Sequence, residues 1–496
     1  MAEAPPRAWR AAGVLAVFAA AVLVHAPTLH HGLLTSWDDP EYVTNDPWIQ
    51  GFTGEHLARV FGAPYYGNYL PLHLVSYMED YALWGLDPFG YHLHSVLLDG
   101  VNAALALVVT QAIFGSFPLA FLAALLFAVH PSHVEAVAWV SARKDLLAAM
   151  FGLLAVLGFE RATRTRPVAR GAYLASLACF ALGLLAKLSI ATLPLFLVIL
   201  DRSHPAGPQP GPWRSALARQ IPYAAIALVL VWVNVQAQPA SPAAYVHDPL
   251  LYLGVKGDAL WSYLALLTGV PAGRPVYDAP EIAGALALAA NLAGLLVLPG
   301  LFALARWRGW NALALGAGWL LALLAPVLLF PLLTYMADRY LYAPSLGFCW
   351  LLAAGITSLG RRAPVAALLA VLPLGLFAFR TIEYQPAWKD SESLWSYALP
   401  RSRDYRVRNN LAQAYVLQER WGDAEELFLE ASAVENYVSH HGLALVYLAT
   451  RHLPEARREI ETASGIAQRF GAEPDHVAEI DATRAQIDRA LAAPSP

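Results

Sequence analysis

Long apolar runs separated by short polar stretches fill the chain to about residue 380, after which charged and alanine-rich segments take over. The runs lie near 9–29, 92–114, 117–131, 145–161, 171–186, 188–201, 220–237, 281–304, 310–333, 344–359 and 363–380. They predict about eleven membrane spans, several shorter than the ~20 residues that a perpendicular helix needs. The short pair near 171–201, interrupted at Lys187, reads as half-helices or tilted spans. The first run follows Arg7 and Arg10 and has the look of a signal peptide, with Val24, His25 and Ala26 at a cleavage position. Pro27 directly afterwards argues against cleavage, so a retained helix is expected.

The later part has a helical pattern that repeats. LAQAYVLQERWGDAEELF from Leu411 aligns with LALVYLATRHLPEARREI from Leu443, an offset of 32 residues. Ala412 pairs with Ala444, Tyr415 with Tyr447 and Ala424 with Ala456, small or flat residues that let paired helices approach. The offset is near the tetratricopeptide period of 34, although solenoids of this kind usually need three units to bury a core. Helices on either side, over 391–399 and 475–491, are expected to cap the pair. A generic pair of helical hairpins is the plainer alternative. The expected architecture is therefore all-α, with a polytopic membrane bundle over 1–384 and a soluble α-solenoid over 385–496.

Composition agrees with a membrane protein. Of 496 residues, 57% are hydrophobic and 14% charged, and mean hydropathy is +0.45, whereas soluble chains carry about 25% charged residues. A net charge of −4 gives no basic surface for nucleic acid. The two cysteines, Cys179 and Cys349, sit in separate apolar runs and imply neither a disulfide framework nor a zinc site.

Basic residues set the expected orientation. With the N-terminus in the cytoplasm, alternate loops collect Arg7 and Arg10, Arg161 to Arg170, Arg202 to Arg219, Arg306 and Arg308, and Arg361 and Arg362. The 30–90 loop then faces outward, and an odd number of spans sends the C-terminal repeats outside too. A bacterial inner membrane with periplasmic repeats is the setting expected.

The candidate chemistry lies on that outer side. Trp37-Asp38-Asp39-Pro40-Glu41-Tyr42 puts three carboxylates beside aromatic rings at the edge of a bilayer. On its own this is as consistent with an Asx turn before an interfacial helix. However, further polar groups share its side of the membrane. His73, Glu79 and Asp80 follow, and then His92, Ser95, Asp99 and Asn102, whose spacing puts them on one helical face. A stripe of that kind is unfavourable against lipid, so it should look inward. His130, His133, Glu135, Arg143, Lys144 and Asp145 come next, then Lys187, and last Asp338, Arg339 and Tyr340. Single residues of this kind are commonly ion pairs or snorkelling anchors; their convergence predicts one shared site. Carboxylates suit general-base work on an acceptor hydroxyl, and Arg and Lys suit a phosphate leaving group. An outer-face site reached from lipid implies a sugar activated on a lipid carrier. His130, His133 and Glu135 leave a divalent metal open, although His-x-x-His without a third ligand is a weak signature.

In order along the chain stand WDDPEYV, LPLHLVSY, Asp87-Pro88-Phe89-Gly90-Tyr91-His92, HPSHVEAVAWVSARKDLLA and ADRYLYAPSLG, followed by the repeats. Over about residues 30 to 465 this resembles the transmembrane and tetratricopeptide repeat-containing O-mannosyltransferases and their bacterial relatives. The resemblance implies a GT-C membrane glycosyltransferase fold and an inverting transfer from a polyprenyl-phosphate sugar, without a metal cofactor. It puts the catalytic base at Asp38, with Asp39 orienting it or binding acceptor. Arg143 and Lys144 are the candidates for the lipid phosphate, followed by Lys187 and Arg339. His73, His92, Asp99, His130, His133, Glu135, Asp145, Asp338 and Tyr340 shape the pocket. The repeats would present a protein or other cell-surface acceptor. Two positions depart from the family pattern, Leu70 for Arg and Leu188 for Glu, as if a charge pair had been lost jointly. A transporter of lipid-linked substrates and a non-catalytic scaffold are the rival readings.

Overall fold

The computed structural model describes residues 7–165, 167–203, 212–237, 248–330, 334–359, 363–472 and 474–492. Arg166, Arg361 and Arg362, used above for orientation, lie outside the described residues. Every regular element among the described residues is helical; Tyr65 and Asn68 form one isolated β-bridge. Two compact units emerge, Met1–Gly32 with Glu41–Lys389, and Leu33–Pro40 with Asp390–Pro496. The boundary therefore differs from a simple cut near residue 384, because a segment of the 30–90 loop belongs with the C-terminal unit.

The first unit begins with α1 (Arg7–His25), α2 (Gly54–Gly62), α3 (Pro71–Trp84), α4 (Pro88–Phe114), α5 (Phe117–Ala128) and α6 (Val134–Ala138). It continues through α7 (Arg143–Thr163), α8 (Arg170–Ala186), α9 (Leu193–Ser203), α10 (Trp213–Ala218), α11 (Ile221–Ala237) and α12 (Pro249–Leu266). α13 (Gly284–Gly294), α14 (Val297–Arg308), α15 (Asn311–Leu329), α16 (Ser345–Thr357) and α17 (Ala363–Tyr384) complete it. The bounds of α4 follow from local chemistry. The Asp87 carboxylate accepts the Phe89 amide at 3.0 Å, Pro88 needs no donor at the first position, and Gly115 closes the helix at φ 69°. α7 and α8 pack closely because Gly158 leaves no Cβ; one placed there would come within 3.1 Å of the Ala172 carbonyl. Pro326 cannot donate to the Ala322 carbonyl one turn earlier in α15, and the Thr192 hydroxyl donates to it instead.

Six described helices are long and apolar enough to cross a membrane, or up to eight if each of two bent pairs is one span. This is an integral membrane protein. The difference from about eleven lies in five runs: 171–186, 188–201 and 344–359 form the short helices Arg170–Ala186, Leu193–Ser203 and Ser345–Thr357, and 117–131 and 281–304 each belong to a bent pair. α12 had no counterpart among the expected runs because Lys256 and Asp258 interrupt its apolar pattern. Lys256 is buried and donates to the Val327 carbonyl at 2.8 Å, satisfying an end group of α15.

The second unit contains α18 (Ser391–Ala398), α19 (Tyr405–Leu417), α20 (Trp421–Ala431), α21 (Tyr437–Ala449), α22 (Leu453–Phe470) and α23 (Pro474–Ala492). The 32-residue step reappears as structure, from Tyr405 to Tyr437 and from Trp421 to Leu453. Ala412, Ala424, Ala444 and Ala456 are all buried at the helix contacts, where the repeat alignment placed them. Gly442 lies against the Phe428 ring, a position with no room for a side chain.

Candidate functional site

Among the described residues of the first unit, the ionisable residues singled out by the sequence fall into three groups. Arg143, at the start of α7, is fully buried and paired with Asp80 of α3. Its remaining donors reach the Tyr91 carbonyl at 2.7 Å, the Ser76 carbonyl at 3.2 Å and the Ser95 hydroxyl at 3.3 Å. The Tyr77 ring lies 4.8 Å from the guanidinium, and His94 contacts Asp80 at 2.8 Å. Lys144 turns the other way, with its ammonium 4.8 Å from the Tyr42 ring centre.

A second group runs as a line. Asp145 accepts from Lys187 at 2.6 and 2.7 Å, and the Lys187 ammonium stands 5.1 Å from the Tyr340 ring. The Arg339 guanidinium lies 4.9 Å from the same ring and pairs with Glu135, whose other oxygen accepts the Arg339 amide at 2.9 Å. Tyr340 thus stands between two ion pairs supplied by α6, α7, the end of α8 and the Asp338–Leu341 turn. Lys187 and Arg339 keep 16% and 11% of their side-chain surface exposed, unlike Arg143 at 0%. His73 reports on the cations. Burial first, then the charges of Lys144, Arg143 and Lys187, push its pKa well below the ordinary histidine value, so the ring is neutral, with Nε2 2.6 Å from the Tyr77 hydroxyl.

Beside this line, Asp338 is buried. It accepts the Arg274 amide at 3.2 Å and the Tyr277 hydroxyl. Burial, followed by the nearby Glu135 carboxylate, raises its pKa to about 8. The loop reaches it because residue 273 is glycine; a Cβ there would come within 2.3 Å of an Asp338 oxygen.

The third group is fully buried. Asp99 accepts the Tyr342 hydroxyl at 2.7 Å, and Asn102 donates to that hydroxyl at 3.1 Å. Ring nitrogens of His25 and His133 lie 3.8 and 3.9 Å from the two Asp99 oxygens. The expected inward stripe on α4 is present, with His92, Ser95, Asp99 and Asn102 all buried. His25 and Tyr342 are its unforeseen partners; they come from the end of α1 and the turn before α16, far away in sequence, with no local signal. His92 faces the Gly32 carbonyl at 3.3 Å. His130 and His133 diverge, with Nε2 of the first 3.1 Å from the Leu267 carbonyl and Nε2 of the second 2.9 Å from the Ser345 hydroxyl. Among the described residues, no three His, Cys, Asp or Glu side chains are placed to hold a metal. Leu70 opens α3 and Leu188 follows α8, and these two helices pack together.

Asp38 and Asp39 belong to the second unit. An Asp39 oxygen accepts the Leu34 amide at 2.8 Å, closing a tight turn, and the residue is 1% exposed. Asp38 is half-buried. The human protein O-mannosyl-transferase TMTC1 is 26% identical over 484 residues, covering 84% of this chain and 52% of its own length. This chain is similar to the protein O-mannosyl-transferases. Human TMTC4 is 27% identical over 76% of the chain and 61% of that relative, and Xenopus laevis tmtc2 is 35% identical over 26% of the chain and 15% of its own length. The chain therefore spans about half the length of TMTC1 and about three fifths of TMTC4. No family model matches it. Among solved structures, ArnT from Cupriavidus metallidurans bound to undecaprenyl phosphate aligns over 92% of this chain and 79% of its own. Its TM-score is 0.44 at 13% identity.

Proposed function

We propose that this protein is a GT-C-type membrane glycosyltransferase. It moves a sugar, with mannose the first candidate, from a polyprenyl-phosphate donor to a hydroxyl of a protein or cell-surface acceptor. The observation that carries this reading is the similarity to human TMTC1 over 84% of the chain. Asp38 takes the proton of the acceptor hydroxyl as that oxygen attacks the anomeric carbon. The bond from the anomeric carbon to the phosphate oxygen breaks, the configuration inverts, and polyprenyl phosphate leaves. Lys144, Lys187 and Arg339, each partly exposed, are suited to the charge that develops on that phosphate. Arg143 is already saturated by protein groups, so its role is to hold α3, α4 and α7 together. Asp39 shapes the turn that carries Asp38. Outward-facing loops and repeats, in a bacterial inner membrane with a cytoplasmic N-terminus, complete the proposal. It rests on the alternation of basic loops.

The test incubates purified full-length protein with a panel of polyprenyl-phosphate sugars and a serine- and threonine-containing peptide, following release of polyprenyl phosphate with and without chelator. Transfer from one of these donors is expected, and Asp38→Asn should lower the rate by about 10²–10⁴-fold. An Asp38→Asn enzyme as fast as the original overturns the assignment of the base. Absence of release from every donor overturns the activity.

A further inference from the structure

The segment that carries Asp38 is built into the C-terminal unit by specific side chains of α18. Gly32 donates its amide to the Lys389 carbonyl at 2.8 Å, so two distant stretches of chain run side by side as they leave the first unit. Immediately afterwards the Ser36 amide donates to the Ser391 hydroxyl at 3.2 Å, and the hydroxyls of Thr35 and Ser391 lie 3.3 Å apart. The Trp395 indole N–H donates to the Ser36 hydroxyl at 2.9 Å, and the Trp37 ring packs on the Trp395 ring with centres 4.9 Å apart. Ser391 and Trp395 are four residues apart and so share one face of α18. That helix has its own start signal, the Asp390 carboxylate accepting the Ser393 amide at 2.8 Å. Ser391, Trp395 and Ser36 are all buried.

The two residues before Asp38 are thus fixed to α18, and the one after it is fixed by the Leu34 amide. A half-buried carboxylate carried between two such anchors has little freedom to move. We propose that Ser391 and Trp395 are positioning residues that make the repeat unit the mount of the candidate base. The inference rests on the reading of Asp38 as general base. Its consequence is that a partner engaging the repeats acts on the element that carries the carboxylate, whereas in an enzyme with an independent loop it would serve only to tether substrate. A displacement of about 1 Å at a reacting group can cost about 10²-fold in rate, so the mount should be visible in turnover.

Two readouts on the full-length protein in detergent test this: amide hydrogen exchange over 33–40, and turnover of polyprenyl-phosphate mannose with the serine- and threonine-containing peptide. Ser391→Ala removes the hydroxyl, Trp395→Phe keeps a ring but removes the donor, and Ser391→Thr restores a hydroxyl. Protection of the Leu34 and Ser36 amides is expected in the original protein. In Ser391→Ala and Trp395→Phe these amides should exchange at least about 10-fold faster while α19 to α22 stay protected. The same variants should lower kcat by about 10–10²-fold with donor KM unchanged, and Ser391→Thr should recover most of the loss. Unprotected Leu34 and Ser36 amides in the original protein overturn the mount, as do variants that leave exchange unchanged, or faster exchange with kcat intact. Loss of turnover in Asp38→Asn without loss in the α18 variants defeats the mount alone. Full turnover in Asp38→Asn defeats the general-base reading and, with it, the catalytic role of the mount. If the original protein does not turn over this donor, the exchange readout decides the mount by itself.

Discussion

Two neighbouring groups of ion pairs in the membrane unit use similar residues in opposite ways. Arg143 and Asp80 are sealed, and every direction from the guanidinium meets a carbonyl, a hydroxyl, a carboxylate or a tyrosine ring. Lys187 with Asp145 and Arg339 with Glu135 keep an open side, and they share the Tyr340 ring between them. A sealed cation cannot meet a substrate phosphate without dismantling its surroundings, whereas one with an exposed edge can add a further partner. Burial and saturation therefore separate cations that hold helices from those available to chemistry, a distinction that residue type alone does not make.

The strongest way to break the comparison is at the sealed pair. Arg143→Ala leaves the Asp80 carboxylate buried without its partner and should destabilise the protein by about 3–5 kcal/mol. The measurement is thermal or denaturant unfolding in detergent, with retention of monodisperse protein as a check. Asp80→Asn in the same background should recover part of the loss, because it removes the stranded charge; a double-mutant cycle measures how much. A purely additive pair would show that Arg143 does not act through Asp80.

The open pairs should behave differently. Arg339→Ala and Lys187→Ala are expected to lower turnover by roughly 10-fold or more through the loss of a charge-assisted hydrogen bond to phosphate. Their effect on unfolding should be smaller than that of Arg143→Ala, since Lys187 and Arg339 each keep a partly exposed edge through which water can replace the lost cation, whereas Arg143 has none. Equal destabilisation at all three cations, with no specific loss of rate, would remove the distinction.

The extent to which the sequence foretold these groups follows from the range of the forces involved. The α4 stripe was legible because helical periodicity is local and a polar face on an apolar helix has one sensible direction. The small residues at the contacts between repeats were legible for the same reason, being repeated at a fixed step. Tyr342 and His25, which meet Asp99, gave no sign, since their pairing depends on how remote helices pack. The attachment of Thr35, Ser36 and Trp37 to α18 was hidden too: more than 350 positions separate the partners, as Ser36 and Ser391 show. α12 escaped the hydropathy pattern because Lys256 spends its charge on the end of another helix. The motif around His130 and His133 read as pocket-shaping; both rings are buried, and only three-dimensional packing could show that they reach different partners.

Asp338 offers the finest discrimination, through pH. It adjoins the open pair at Glu135 and Arg339 but is itself enclosed, and its pKa is raised from 3.8 to about 8, by burial first and then by Glu135. The folded protein therefore holds the proton more tightly than the unfolded chain does. The unfolded carboxyl ionises near pH 4, and between there and about pH 8 the native state binds more protons, so stability falls as pH rises across that interval. Below pH 4 the contribution is fully present, and above about pH 8 it is lost. Asp338→Asn mimics the protonated group and should flatten this part of the profile, leaving the variant slightly more resistant to unfolding than the original at alkaline pH. The Tyr277 hydroxyl remains able to donate to the amide oxygen, so loop 269–283 should keep its seat. Unfolding midpoints taken from pH 4 to pH 9 on both proteins decide the point. Parallel curves would mean that Asp338 ionises as easily as an exposed carboxylate, and that its enclosure beside Glu135 carries no energetic weight.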